Sequence, residues 1–329
     1  MSYSDGMKYK LLGRTGVQVS ELCFGTMSFG GDADEATSAA MYKACRDAGI
    51  NFFDTANEYS RGASEEILGR LIKGHRGDLV LTTKVNAQIR PDLNARGTSR
   101  RHMIEAVDLS LRRLQTDRID VLFLHRYDAL TPIEESMRGL EDLVRAGKVI
   151  YPAVSNWSAW QTQRAVDIQE RNNWARLQLT QPMYNLVKRQ AEVEILPMAE
   201  HNGIGVIPYS PAAAGLLSGK YSSNATGRLR TNKMYEARYG DQWMFEVAEK
   251  YVGLCKQKGL HPVTTAIAWV AAHPAITAPI VGARNLDQLK DSLASVDMQM
   301  TPELRREIAD LSRTPPPATD RLEEQKVVS

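Results

Sequence analysis

A (β/α)8 barrel is the fold class this sequence predicts, on three observations. Short apolar or β-branched runs alternate with longer amphipathic stretches about eight times along 329 residues. Glycines stand where the amphipathic stretches should end. Asp54, Lys84 and His125 each stand at the end of an apolar run, with Tyr59 just beyond the first. Eight strand–helix units in succession imply a parallel sheet closed on itself, and polar groups at the carboxyl ends of its strands converge on one face.

The elements follow in order. Tyr9-Lys10-Leu11-Leu12, a glycine-containing turn over 13–16 and Val17-Gln18-Val19 read as a hairpin placed to plug the barrel's bottom. Strands are expected over 22–25, 50–54, 79–83, 121–124, 149–154, 177–180, 205–207 and 278–281. Helices are expected near 35–48, 65–73, 101–114, 133–146, 159–171, 190–202, 242–259 and 286–296. Ser64, and Thr131-Pro132 ahead of Glu134 and Glu135, look like capped helix starts with acidic first turns. Gly49, Gly74, Gly147, Gly203 and Gly259 mark helix ends. The long irregular stretch 211–239 has the length of a functional loop. One domain is expected, with the hairpin at about 8–20, the barrel at about 22–298, and a C-terminal helix and tail over 302–329. Pro315-Pro316-Pro317 should leave that tail flexible.

Composition excludes several classes of function. Charged residues at 24% and apolar ones at 43% suit a globular chain with a substantial core. A net charge of +2 supplies no basic stripe for nucleic acid. No stretch approaches the ~18–20 apolar residues of a membrane span. Cys23, Cys45 and Cys255 are odd in number and widely spaced, which suits reduced thiols in the cytoplasm. The six histidines show no metal-ligand spacing, so no metal is expected. Residues 215–221 miss the P-loop by one residue, and no GxGxxG occurs. Small molecules are the expected partners, and nothing opposes a homo-oligomer.

Lys84, closing an apolar run, must reach solvent or pair with an acid, because an isolated buried ammonium is prohibitively costly. Asp54 is the natural partner, although a purely structural bridge explains the pair equally well. A phenol beside that ammonium, Tyr59, has its ionised form stabilised, so its pKa should fall toward the range of proton exchange at neutral pH. Taken singly, Tyr59 fits an ordinary loop position and His125 a satisfied core histidine.

Together the residues match a family. Gly25-Thr26-Met27, Asp54-Thr55-Ala56-Asn57-Glu58-Tyr59, Ser64-Glu65-Glu66-Ile67-Leu68-Gly69, Lys84, Leu124-His125, Val154-Ser155-Asn156, Gln181, Tyr209-Ser210-Pro211 and Leu217-Ser218-Gly219-Lys220-Tyr221 resemble the aldo-keto reductases, in the family's order, over roughly 8–312. The chain is most similar to the bacterial branch related to the potassium-channel beta subunits. The resemblance implies NADPH-dependent reduction of aldehydes or ketones, with NADH also compatible. Tyr59 would be the general acid, Lys84 would lower its pKa, Asp54 would hold the lysine and His125 would orient the carbonyl.

The resemblance also implies the cofactor site. Tyr209 would stack on the nicotinamide, and Ser155, Asn156 and Gln181 would bond its carboxamide. Gly25, Thr26, Met27 and Asp54 would also contact the cofactor. Ser210, Pro211, Gly215, Ser218 and Lys220 would cover the pyrophosphate. Gly282, Arg284, Gln288, Asp291 and Ser292, with Arg228 from the long loop, would read the adenosine half. Lys220, Arg228 and Arg284 favour a 2'-phosphate and hence NADPH. The substrate pocket is expected at Met27, Phe29, Asn57, Asn86 to Arg90, Tyr127 and Trp157.

Many relatives carry Arg-Tyr-Ile-Gly where this chain has Ile150-Tyr151-Pro152-Ala153, so a bulge is expected at Pro152. Two other functions compete. One is a nicotinamide-sensing regulatory subunit of a channel-like partner with slow turnover. The other is a lyase using Lys84 as a Schiff-base nucleophile, which the pairing with Asp54 opposes.

Overall fold

Runs that are apolar on both faces bury both faces, and in the computed structural model they form the inner wall of a barrel. The structure describes residues 6–221, 229 and 232–323. The hairpin comes first, as β1 (Tyr9–Leu11) and β2 (Gln18–Ser20). There follow β3 (Cys23–Gly25), α1 (Glu35–Asp47), β4 (Phe52–Asp54), α2 (Ala63–Leu71), β5 (Val80–Val85), α3 (Arg100–Leu114) and β6 (Ile119–Leu124). Next are α4 (Ile133–Arg145), β7 (Val149–Ser155), α5 (Ala159–Arg171), β8 (Leu179–Gln181), α6 (Ile195–Asn202) and β9 (Gly205–Val206). The last elements are α7 (Lys233–Tyr239), α8 (Gln242–Gln257), α9 (Pro262–Ala271), β10 (Ile280–Val281), α10 (Leu286–Leu293) and α11 (Pro302–Ala309).

Strands β3 to β9 pair in parallel in chain order, and β10 pairs with β3. A parallel bridge between Val206 and Ile276, with Ile280 N donating to Pro208 O, joins the last strand segment back to β9. The fold is the expected (β/α)8 barrel.

The period of two along each strand sorts the core into two layers. Cys23, Phe52, Val80, Val121, Phe123, Ala153, Leu179 and Ile207 fill the barrel interior. Phe24, Phe53, Leu81, Leu122, Leu124 and Val154 face outward into the layer beneath the helices. Leu12 and Val19 of the hairpin join the interior layer, closing the floor. Gly13 permits this: at φ 55°, a Cβ there would lie 2.6 Å from Gln178 O.

Several helix starts carry side-chain caps. Asp34 accepts from Thr37 N, and Ser158 and Gln161 form a reciprocal capping box on α5. All five glycines expected at helix ends have positive φ. Ser64 does not cap. It lies inside the first turn of α2, where its buried hydroxyl donates to Thr26 O and contacts Thr55 Oγ1. Thr131 does not cap either, since its hydroxyl donates to Asp128 Oδ2.

Pro152 makes no bulge, because the β6–β7 register runs unbroken from Val121↔Tyr151 to Leu124↔Val154. Its carbonyl accepts from Gln178 N on the β8 side. In a parallel ladder the N–H of a residue points the same way as its C=O. The missing donor therefore faces the segment ahead of Leu179, where β8 has not begun, and no ladder bond is lost.

Two helices in the structure, α7 and α9, have no counterpart in the sequence reading. α9 is buried from Thr265 to Val270, so it lacks the polar face that marks an amphipathic helix. Beyond α11, Arg313 stacks over the Trp243 ring at 4.5 Å. The last six residues of the expected tail, 324–329, lie outside the described residues.

Candidate active site

The period of two that fills the barrel interior also builds the site. Two residues after the interior Phe52, Phe123, Ala153, Leu179 and Ile207 come Asp54, His125, Ser155, Gln181 and Tyr209. Lys84 follows Val80 and Thr82 in the same phase. Each therefore continues an inward-facing row past the end of the apolar packing, at the carboxyl mouth of the barrel.

Asp54 and Lys84 form the base of the site, with Lys84 Nζ 2.5 Å from Asp54 Oδ2. Lys84 also donates to Thr55 O at 2.8 Å and to Tyr59 Oη at 3.2 Å, so its three donors are all used. Asp54 Oδ1 accepts from Thr82 Oγ1 at 2.6 Å and from Gln181 Nε2 at 3.0 Å. Burial alone would push the Lys84 ammonium down, but the Asp54 charge and the bonds to Asp54 and Tyr59 together raise it, so it stays charged.

The expectation of a lowered Tyr59 pKa needs correction. Burial raises the phenol more than the Lys84 charge and hydrogen bond lower it, and the net direction is upward. At neutral pH Tyr59 holds its proton, which is the state a proton donor requires. The His125 ring meets the Tyr59 ring edge-on, 6.0 Å between centroids. His125 Nδ1 lies 3.0 Å from Glu58 Oε1. Burial is the largest influence on His125 and holds it below the usual histidine value, neutral at neutral pH, against the opposing pull of Glu58. Glu58 in turn is held low, first by His125.

These groups meet a cleft of about 470 Å³. Asp54, Tyr59 and His125 line it, and Lys84 lies beneath. Of the expected cofactor residues, Gly25, Met27, Asp54, Ser155, Asn156, Gln181, Tyr209, Ser210, Pro211, Gly215, Ser218, Lys220, Gly282, Arg284, Gln288, Asp291 and Ser292 line the same cleft. Thr26 does not. It is buried, and its hydroxyl donates to Asp54 O and contacts Ser64. Arg228 lies outside the described residues.

Tyr209 donates to Asn156 Oδ1 at 2.6 Å, and Asn156 Nδ2 donates to His125 O, so the expected nicotinamide end is already one network. Asn156 holds φ 58°, a left-handed conformation that asparagine tolerates.

Only part of the expected substrate wall reaches this cleft. Met27 lines it and is 47% exposed. A turn closed by Phe29 N to Thr26 O directs Phe29 into the core, 5.9 Å from Phe24. Asn57 is buried, with neither amide atom bonded among the described residues. Asn86 donates to Arg126 O at 3.4 Å. Tyr127 and Trp157 pack edge-to-face 5.2 Å apart and do not line the cleft.

The sequence model of the Aldo/keto reductase family matches residues 21–313. The chain belongs to the aldo/keto reductase family. It is 38% identical to the uncharacterized oxidoreductase YrpG of Bacillus subtilis (strain 168), over 93% of this chain and 96% of that protein. It is 36% identical to a probable voltage-gated potassium channel subunit beta of Arabidopsis thaliana, over 89% and 92%. It is 35% identical to the versiconal hemiacetal acetate reductase of Aspergillus parasiticus, over 90% and 94%. Membership makes the protein an oxidoreductase, with a nicotinamide cofactor and a small carbonyl compound as the reactants of its class.

This aldo/keto reductase also brings to the cleft residues that the sequence reading passed over. α7 contributes Met234, Tyr235 and Arg238, and the Arg238 guanidinium lies 5.9 Å from the Tyr209 ring centroid. Glu58 and His261 line the cleft as well. Glu58 was within reach of sequence reasoning, because it adjoins Tyr59. Arg238 was not, since its short helix sits in a stretch with no periodic signal. Among the described residues, no helix is long and apolar enough to cross a membrane.

Proposed function

We propose that this aldo/keto reductase reduces aldehydes or ketones to alcohols with NADPH, and that Tyr59 supplies the proton. The observation that carries the proposal is the contact chain from Asp54 through Lys84 to Tyr59 Oη, which opens on the cleft.

The lining residues fit a dinucleotide. Gly25 and Gly282 present bare backbone to the cleft, and Lys220 and Arg284 add cations to its lining. Gln181 commits Nε2 to Asp54 and keeps Oε1 for a ligand. Ser155 and Asn156 would hold the carboxamide beside it, and Tyr209 would carry the ring. A bound nicotinamide supplies the hydride.

The chain's own residues supply the rest. As a carbonyl carbon is reduced, negative charge gathers on its oxygen, and a poised acid with a nearby cation lowers that barrier. Tyr59 Oη gives the proton, while Lys84, kept charged by Asp54, stabilises the phenolate left behind. His125, neutral and close to the phenol, orients the carbonyl. Lys220 and Arg284 favour NADPH over NADH through the 2'-phosphate. We place the protein in the cytoplasm, a reading supported by three buried cysteines that are all free thiols.

A second reading has one observation in its favour, the likeness to the Arabidopsis channel subunit. A nicotinamide-sensing subunit would bind the cofactor tightly and turn over slowly. The test is NADPH oxidation over a panel of aldehydes, ketones and sugars, followed by titration of both nicotinamides. Rapid turnover on an aldehyde supports the reductase. Tight NADPH binding with no turnover across the panel supports the sensor.

A further inference from the structure

Tyr59 stands at the head of an unusual backbone segment. Ser60, Arg61 and Gly62 follow it with φ of 49°, 57° and 100°, three consecutive left-handed residues. Non-glycine residues in that region are strained, so such a run persists only where the surroundings over-determine it. What over-determines it is Arg113 of α3. Its Nη1 donates to Asn57 O at 3.2 Å, ahead of Tyr59, and its guanidinium packs against Gly62, behind Tyr59. The packing is so close that a Cβ on Gly62 would lie 2.2 Å from Arg113 Cζ. The segment bearing the phenol is thus gripped on both sides by one side chain.

Glu65 holds Arg113 in turn. Its side chain is fully buried in α2, with Oε2 3.3 Å from Arg113 Nη1. Its other oxygen accepts from Thr83 Oγ1 at 2.7 Å. Thr83 directly precedes Lys84 on β5, in the opposite phase, so it faces the helix layer while Lys84 faces the barrel. Glu65 therefore bridges the strand that carries the ammonium and the arginine that grips the phenol's segment. A buried ion pair stabilises little compared with apolar packing of similar volume, so its presence is better explained by the geometry it fixes than by stability.

We propose that Arg113 and Glu65 are positioning residues that set the Tyr59 hydroxyl against Lys84 Nζ. The inference rests on the proposed role of Tyr59, and the test separates the two. The informative variant is Glu65→Gln with Arg113→Met, which leaves no buried charge unpaired and keeps an acceptor for Thr83. It is compared with the parent for kcat, KM, NADPH affinity, melting temperature and the tyrosine 13Cζ resonance of Tyr59, assigned by its loss in Tyr59→Phe. The expected result is a fall in kcat of about tenfold to a hundredfold, as for a small misplacement of a reacting group. KM and NADPH affinity should change within about twofold, and the Tyr59 resonance should shift. Arg113→Lys, which keeps the charge but not the fork, should restore part of kcat.

Normal kcat with an unmoved Tyr59 resonance in the double variant would overturn the inference. If the double variant does not fold, Arg113→Lys decides alone: parental kcat and resonance overturn the inference, and a fall in kcat at parental melting temperature supports it. A parent inactive toward every carbonyl would defeat the proposed function instead, and the resonance would still decide whether the pair positions Tyr59.

Discussion

Lys84 Nζ lies 2.5 Å from Asp54 Oδ2 with both side chains almost wholly removed from solvent. Removing one member of a buried pair leaves the other charged and uncompensated, at a cost of ~3–5 kcal/mol. Asp54→Asn and Lys84→Met should each destabilise the fold by about that much in urea unfolding. The double variant should recover a large part of the loss, because the buried charge is then gone. A double variant as unstable as the sum of the singles would mean that the two charges do not interact.

Histidine burial sets an acid-side dependence of stability. His102, His125 and His273 are all held below the usual histidine value, in each case first by burial. Their unfolded value is ~6.5, so below it the unfolded chain binds protons that the folded chain refuses. The stability these groups contribute is complete above that pH and is lost as pH falls. Unfolding free energy should therefore decline from about pH 6.5 toward pH 5, and His125→Asn should make the decline shallower. A flat profile across that window would contradict the assignment.

Much of the site was legible because the period of two is a property of the chain itself. Asp54, Lys84 and His125 end apolar runs, and the phase that buries Phe52 and Phe123 carries Asp54 and His125 to the same mouth. Tertiary context decided the rest. Pro152 looked disruptive, but it sits where its neighbour strand has not begun. α9 escaped because a helix buried on nearly all sides shows no polar face. Phe29 looked like pocket wall until a tight turn directed it inward. The upward shift of Tyr59 is not legible in the sequence, where the ammonium is visible and the burial of the phenol is not.

In the proposed function, cofactor preference rests on Lys220 and Arg284 of the cleft lining. Arg284 lines the cleft beside Gln288, whose Oε1 accepts from the Arg284 backbone N–H. If its guanidinium meets the 2'-phosphate, Arg284→Ala should weaken NADPH roughly tenfold to a hundredfold, the worth of a charge-assisted hydrogen bond, and barely affect NADH. Fluorescence titration of both nucleotides checks this, and equal loss for the two would remove the phosphate-reading role.

In the proposed reaction the proton given to the reduced carbonyl comes from Tyr59. Single-turnover NADPH oxidation by Tyr59→Phe, with an aldehyde the parent reduces, tests it most directly. The expected rate is lower by about 10²- to 10⁴-fold with NADPH affinity unchanged. A rate close to the parent's would contradict it.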